Sequence, residues 1–326
     1  MIGAQQSRNI FLARLFVTLR WLAAVLVLAV LLHFLPLPLL LEAIHRVPLT
    51  RFIAVLLVYL FAHLVGIAKW RMVVNAAGAK LDFSTSAQCY SGGLFATLFL
   101  PSIIGGDAVR LAVGLRRSPN PAAVLAGNIA DRFLDMLSQA GLIFVGLLLL
   151  PGSFPPALQA QARRALPVFF VAIAVIALLF IWLRRPLLQG HSVSFRRRLA
   201  RLHHALRTVS KRPHILVFGW LLATTIQFTF LTLTALLAIS CGLFLPLRIW
   251  FFAWPLAKLA AVLPLTQGGI GIREAALVGL LSPFGAPAHL VLASALVWEG
   301  IVLAGGLIAG LIAVLLRRPK TVPVAH

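Results

Sequence analysis

Apolar positions in this chain fall in long continuous blocks, with neither the alternation of a half-buried strand nor the stripe of a surface helix. The blocks cover about 15–41, 51–70, 87–117, 122–150, 167–183, 214–240, 249–284 and 287–316. Most approach or exceed the roughly 20 apolar residues that a helix needs to cross a bilayer, so they predict membrane-spanning α-helices. Polar stretches separate them: 71–86, a Pro/Gln/Arg-rich loop at 151–166, and a basic segment at 184–213. Two blocks are interrupted from within. Residues 100–110 read LPSIIGGDAVR and residues 263–273 read LPLTQGGIGIR. Both fit Leu-Pro, three residues, Gly-Gly, three residues, Arg. The copies lie 163 residues apart in a chain of 326.

Composition agrees with the block pattern. Hydrophobic residues make up 61% of the chain and charged residues 11%, with a mean hydropathy of +1.01. Soluble domains are nearer half apolar and a quarter charged. The expectation is a single polytopic membrane domain over 1–326, with no segment long enough for a soluble catalytic domain. The N-terminal basic residues Arg8, Arg14 and Arg20 precede a retained first span, with no small-residue cleavage site after it. Cys89 and Cys241 sit in or near separate apolar runs and predict neither a disulfide framework nor a metal site.

Charge sets the orientation. There are 29 Lys and Arg against seven acids, a net +22. Because the excess lies between apolar runs, it reads as a topology signal and as contact with anionic lipid, and nucleic acid is not favoured. The basic N-terminus, the 69–80 stretch, the 184–213 loop and the C-terminal tail are assigned to the cytoplasmic side. Those segments, with Arg116 and Arg117, hold 20 Lys and Arg. Outer segments hold five: Arg46, Arg51, Arg163, Arg164 and Arg248. On this trace segment 81–121 begins and ends inside, and segment 241–286 begins and ends outside. The predicted fold is all-α, with six full spans plus two broken re-entrant helical hairpins, or eight spans if each hairpin arm crosses fully. Residues 1–150 form the first repeat and 167–316 the second, inverted one. Both termini are cytoplasmic. Secondary transporters built in this way place their sites at broken helices near the midplane.

The breaks carry candidate chemistry. Proline ends the incoming helix and paired glycines tolerate the turn. A helix restarting after Gly-Gly presents unpaired N–H groups, with Arg110 or Arg273 about one turn in. Guanidinium and a helix N-terminus together suit phosphate. The candidate substrate-binding residues are therefore Gly105, Gly106, Arg110, Gly268, Gly269 and Arg273. The alternative is a structural kink with snorkelling arginines. Asp107 and Glu274 flank the arginines, as counter-ions or as proton-carrying groups; Asp107 is placed to pair with Arg110 three residues on. On the 122–150 run, Asn128, Asp131, Asp135 and Gln139 share one helix face, and Arg132 lies just off it. Glu299 is the lone acid of the last run, with Lys258 or Arg273 as its expected partner. Asp107, Asp131, Arg132, Asp135, Glu274 and Glu299 are thus candidate coupling or charge-pairing residues. Tyr59 and His63 share a face of the second run, and Gly306 and Gly310 form a GxxxG packing pattern. The basic 191–212 stretch reads as an amphipathic surface segment.

These residues resemble a known family. LFLPSIIGGDAVR, NIADRFLDM about twenty residues on, and VLPLTQGGIGIREAAL followed by FGAP are similar to the flippase-like integral membrane proteins related to the membrane domain of lysylphosphatidylglycerol synthase. The resemblance covers nearly the whole chain and implies movement or handling of anionic or polyprenyl-linked lipids between leaflets. It departs at Trp298-Glu299, where many relatives carry an arginine. The resemblance does not extend to the synthase's soluble aminoacyl-transfer domain, so lipid aminoacylation by this chain is not expected.

GxSxG, Walker A, HExxH and CxxC motifs are absent, so no cofactor, metal or catalysis is expected. The expected function is translocation of an anionic phospholipid or polyprenyl-phosphate-linked lipid in a bacterial cytoplasmic (inner) membrane. The alternative is a non-transporting partner of a lipid or envelope-glycan synthesis enzyme, docked through the 184–213 loop. A third reading is an intramembrane lipid phosphatase or transferase using the carboxylates as acid and base.

Overall fold

The computed structural model of the chain describes residues 37–100, 102–149, 193–261, 266 and 269–317. Among these residues the fold is all-helical, with ten α-helices, one short 3-10 turn and no strand. Four helices are long and apolar enough to cross a membrane: α2 (Leu49–Ala76), α5 (Pro121–Leu149), α7 (Pro213–Ser240) and α10 (Ala288–Leu315). At 28 or 29 residues, each is about 42 Å long at 1.5 Å per residue. The shorter helices are α1 (Leu37–His45), α3 (Phe83–Thr97), α4 (Ser102–Arg117), α6 (Val193–Ser210), α8 (Leu247–Ala260) and α9 (Ile272–Leu281). The expected loop at 151–166, the run at 167–183, most of the first run and the tail beyond 317 lie outside the described residues. So do Pro101, Pro264 and Gly268.

Sequence-local signals start these helices. Proline opens α5 and occupies the first turn of α7, where a missing N–H costs nothing. Asp82 caps α3 by accepting from the Thr85 N–H at 3.3 Å. The apolar face of a spanning helix still carries hydroxyls. In α7, Thr224, Thr225, Thr229, Thr232 and Thr234 each donate to the carbonyl four residues earlier at 2.9 Å, which satisfies them without water.

The second span runs further than its apolar block. Hydropathy fades near residue 70, yet α2 continues to Ala76. Lys69, counted with the cytoplasmic 69–80 stretch on sequence, therefore lies inside the helix and is only 3% exposed.

The two template segments sit at helix breaks, and the breaks are built differently. In the first, α3 ends at Thr97 and α4 starts at Ser102, ahead of the glycines. Gly105 and Gly106 are thus helical and do not precede the helix start. Their role is close packing. A Cβ on Gly106 would lie 2.1 Å from Thr97 Oγ1, and one on Gly93 would lie 2.8 Å from the Gly106 carbonyl oxygen. In the second, α9 starts at Ile272, after the glycines. Gly269 and Gly271 take φ of 81° and 87°, a region that costs glycine little. Arg110 consequently lies more than two turns into α4, whereas Arg273 is in the first turn of α9. The hairpin arms are 15, 16, 14 and 10 residues long. They measure about 15–24 Å, short of a hydrocarbon core of about 30 Å.

The packing pairs up. Helix α3 packs on α4 and α8 on α9; α3 also packs on α10, and α8 on α5. Helices α4 and α9 lie against α5 and α10 respectively, while α2 and α7 pack on each other and on both α5 and α10. Lipid gives helices no hydrophobic drive to associate, so close approach through small residues does much of this work. A Cβ on Gly127 would meet Val74 Cα at 2.4 Å, and one on Gly146 would meet the Phe252 backbone nitrogen at 2.7 Å. These contacts seat α5 on α2 and on α8. Gly306 and Gly310 likewise seat α10 on Leu98 and Phe95. Helix α6, in the basic segment, buries Ala205, Leu206 and Val209 and exposes Arg201, His204 and Arg207.

Candidate functional site

Five of the chain's seven acids gather in two clusters, one at each broken hairpin. The first lies between α2, α4 and α5. Lys69 Nζ is 2.9 Å from Asp131 Oδ1 and also pairs with Asp135. Arg110 reaches Asp107 at 2.9 Å and Asp131 at 3.7 Å. Arg132 bridges Asp107 at 3.3 Å, Asp131 at 3.2 Å and Asp135 at 3.1 Å. Three cations thus meet three carboxylates, and Asp131 is touched by all three. Burying isolated charges costs several kcal/mol each, and only full mutual pairing offsets it.

The helices explain why these side chains converge. Asp131 and Asp135 are four apart on α5, so both face α2 and α4. Asp107 and Arg110 are three apart on α4 and pair locally, as expected. Trp70 on α2 donates through Nε1 to Asn128 Oδ1 at 3.1 Å, which fixes the α2–α5 register beside Lys69. The Arg110 guanidinium lies over Tyr90 and Trp70, at 5.2 and 5.5 Å from the ring centroids. Gln139, at the far end of the stripe, is buried apart from the cluster with an unpartnered Oε1.

The second cluster lies between α9 and α10. Glu274 is fully buried and folds back so that the Gly271 N–H donates to its Oε2 at 2.6 Å. Its other oxygen accepts from Arg273 Nη2 at 3.0 Å, and the same Nη2 pairs with Glu299. Arg273 stands over Trp254 at 5.7 Å. Of the two expected partners for Glu299, the structure chooses Arg273. Lys258 instead donates to Gln227 Oε1 on α7 at 2.7 Å and lies over the Phe230 ring at 5.6 Å.

An aromatic path joins the clusters. From Tyr90 it passes to His63 (5.9 Å), Tyr59 (4.4 Å), Trp298 (5.7 Å) and Trp254 (5.2 Å), where each value separates consecutive ring centroids. Arg110 caps one end and Arg273 the other. His63 packs on Phe230 and lies 3.3 Å from the Tyr90 hydroxyl, with its Nε2 unpartnered. Beside it, between α2, α3 and α10, is a cavity of about 390 Å³ with an apolar lining that includes Phe61, Leu64 and Ile308.

Every described site residue predicted from sequence falls in one of these places. Arg110, Asp107, Asp131, Arg132 and Asp135 meet in the first cluster; Arg273, Glu274 and Glu299 meet in the second. Gly106 faces α3, Gly105 packs on Leu100 in the turn before α4, Gly269 abuts Ala261, and Gly268 lies outside the described residues. Lys69 was missed because the hydropathy edge put it in a loop, and Trp70, Tyr90 and Gln227 carried no signal. Among the described residues no group of His, Cys, Asp and Glu is arranged to hold a metal ion, and Cys89 and Cys241 are free and buried.

Long apolar helices around buried charge define an integral membrane protein with a polar interior. The chain belongs to the family described as the lysylphosphatidylglycerol synthase TM region, which matches residues 12–310. That membership ties it to lipid handling. No curated protein matches it.

Proposed function

We propose that this protein is a lipid translocase that carries the head group of an anionic phospholipid or polyprenyl-phosphate lipid through its interior. One observation carries the reading: buried charge is concentrated at both broken hairpins, in two clusters linked by polar and aromatic side chains. A head group crossing a bilayer needs such a path, because an unpaired charge in hydrocarbon costs several kcal/mol. Acyl or prenyl chains would stay in the bilayer. The matched packing of α2–α5 and α7–α10 supports two inverted repeats, and the short hairpin arms support six spans with two re-entrant hairpins. In this reading 1–150 and 167–316 are the repeats, both termini are cytoplasmic, and the membrane is the bacterial inner membrane. The protein binds and moves lipid and does not react with it.

The test is head-group translocation in liposomes of purified protein. Wild-type vesicles are expected to expose labelled lipid faster than protein-free vesicles, and Arg110→Ala and Arg273→Ala vesicles to fall to the background rate. Equal rates for wild-type and empty vesicles across a wide lipid panel would sink the reading.

A further inference from the structure

Among the described interior cations, Lys258 differs from the rest. Lys69, Arg110, Arg132 and Arg273 each touch at least two carboxylates. Lys258 touches none among the described residues. It donates to a neutral amide oxygen, Gln227 Oε1, and lies over the face of Phe230. Charges from both clusters act on it all the same: Asp135 and Arg132, Lys69 and Arg273.

Access separates the same groups. The Lys69, Arg110, Asp131 and Glu274 side chains are 4% exposed or less. Asp135 and Arg132, at 17% and 32%, are more open, and Lys258 is half-buried. An anion that recruits an arginine has to compete with the two or more carboxylates that the arginine already pairs with, and it adds negative charge beside them. At Lys258 it displaces only an amide. A charge-assisted bond is roughly twice as strong as a neutral one.

Resting on the translocase reading, we propose that Lys258 is the residue that receives the phosphate of the head group, with Gln227 as its resting partner. The arginines remain in their ion pairs and shape the path. Helix α8 suits this role. Pro255, one turn before Lys258, cannot donate to the Phe251 carbonyl, which loosens the turn of α8 that leads into Lys258.

The experiment is lipid retention. Purified protein is equilibrated with equal phosphatidylglycerol and phosphatidylcholine, and the retained lipid is quantified by native mass spectrometry. Wild type is expected to retain phosphatidylglycerol preferentially. Lys258→Met and Lys258→Gln are each expected to reduce that preference about ten-fold or more, the scale of a lost hydrogen bond to a charged group. Gln227→Leu is expected to raise the preference, since the ammonium then has no amide to give up when the phosphate arrives. Retention of the preference by either Lys258 variant overturns the assignment while leaving the translocase reading standing. Loss in Gln227→Leu to the same degree as in Lys258→Met overturns it too, by making the pair structural. No preference in wild type removes the anionic head group, and the assignment with it.

Discussion

Lys69 Nζ on α2 lies 2.9 Å from Asp131 Oδ1 on α5, and both side chains are almost completely buried. This contact ties two spanning helices 62 positions apart in sequence and holds the centre of a six-residue charge network. Removing Lys69 leaves three carboxylates facing two cations, an uncompensated negative charge in the interior.

Lys69→Met is therefore expected to destabilise the protein by about 3–5 kcal/mol, the usual scale for breaking a buried pair from one side. Adding Asp131→Asn should restore part of that loss, since the orphaned charge is then gone. Thermal unfolding of the two single variants and the double variant in detergent checks this as a cycle. Additive losses would show that the pair is not coupled.

Glu274 joins two tasks that substitution can separate. Glu274→Gln keeps an oxygen to accept from the Gly271 N–H but weakens the pairing with Arg273. Glu274→Ala removes both and should be the less stable of the two by about 1 kcal/mol, the scale of a lost N-terminal cap. Comparing their unfolding midpoints decides it.

Gly106→Ala would place a methyl group 2.1 Å from Thr97 Oγ1 and 2.5 Å from the Gly93 carbonyl oxygen. The backbone atom cannot rotate away, so the hairpin must open, at about 1–3 kcal/mol. Gly141→Ala has nothing within 4 Å of the new methyl. It should be neutral or slightly stabilising through helix propensity. Equal midpoints for the two variants would refute the packing role of Gly106.

Topology is open to single cysteines in a background lacking Cys89 and Cys241, both of which are buried. Lys80 follows α2, and Phe244, 76% exposed, follows α7. With inverted halves these two sites label from opposite faces, Lys80 from the cytoplasm. Labelling of both from one face only would rule the inversion out.

Block length and composition were enough to read the four spanning helices among the described residues, because a bilayer demands about 20 apolar residues with every backbone group paired internally. They also located both breaks, and the Asp107–Arg110 pair followed from spacing alone, since three residues bring two side chains onto one helix face. Positions decided across helices were not legible. Hydropathy put Lys69 outside the membrane; its burial depends on Asp131 and Asp135, which only the packing of α5 on α2 brings to it. Glu299 had two plausible partners, and the seating of α9 against α10 selects Arg273. The repeated Leu-Pro/Gly-Gly/Arg template implied two equivalent helix starts. The tertiary structure makes them unlike: Gly106 is a packing residue because α3 lies against it, whereas Gly269 and Gly271 are a turn at the start of α9. A local motif constrains the backbone that it spans, but the use made of that backbone depends on which neighbour it meets.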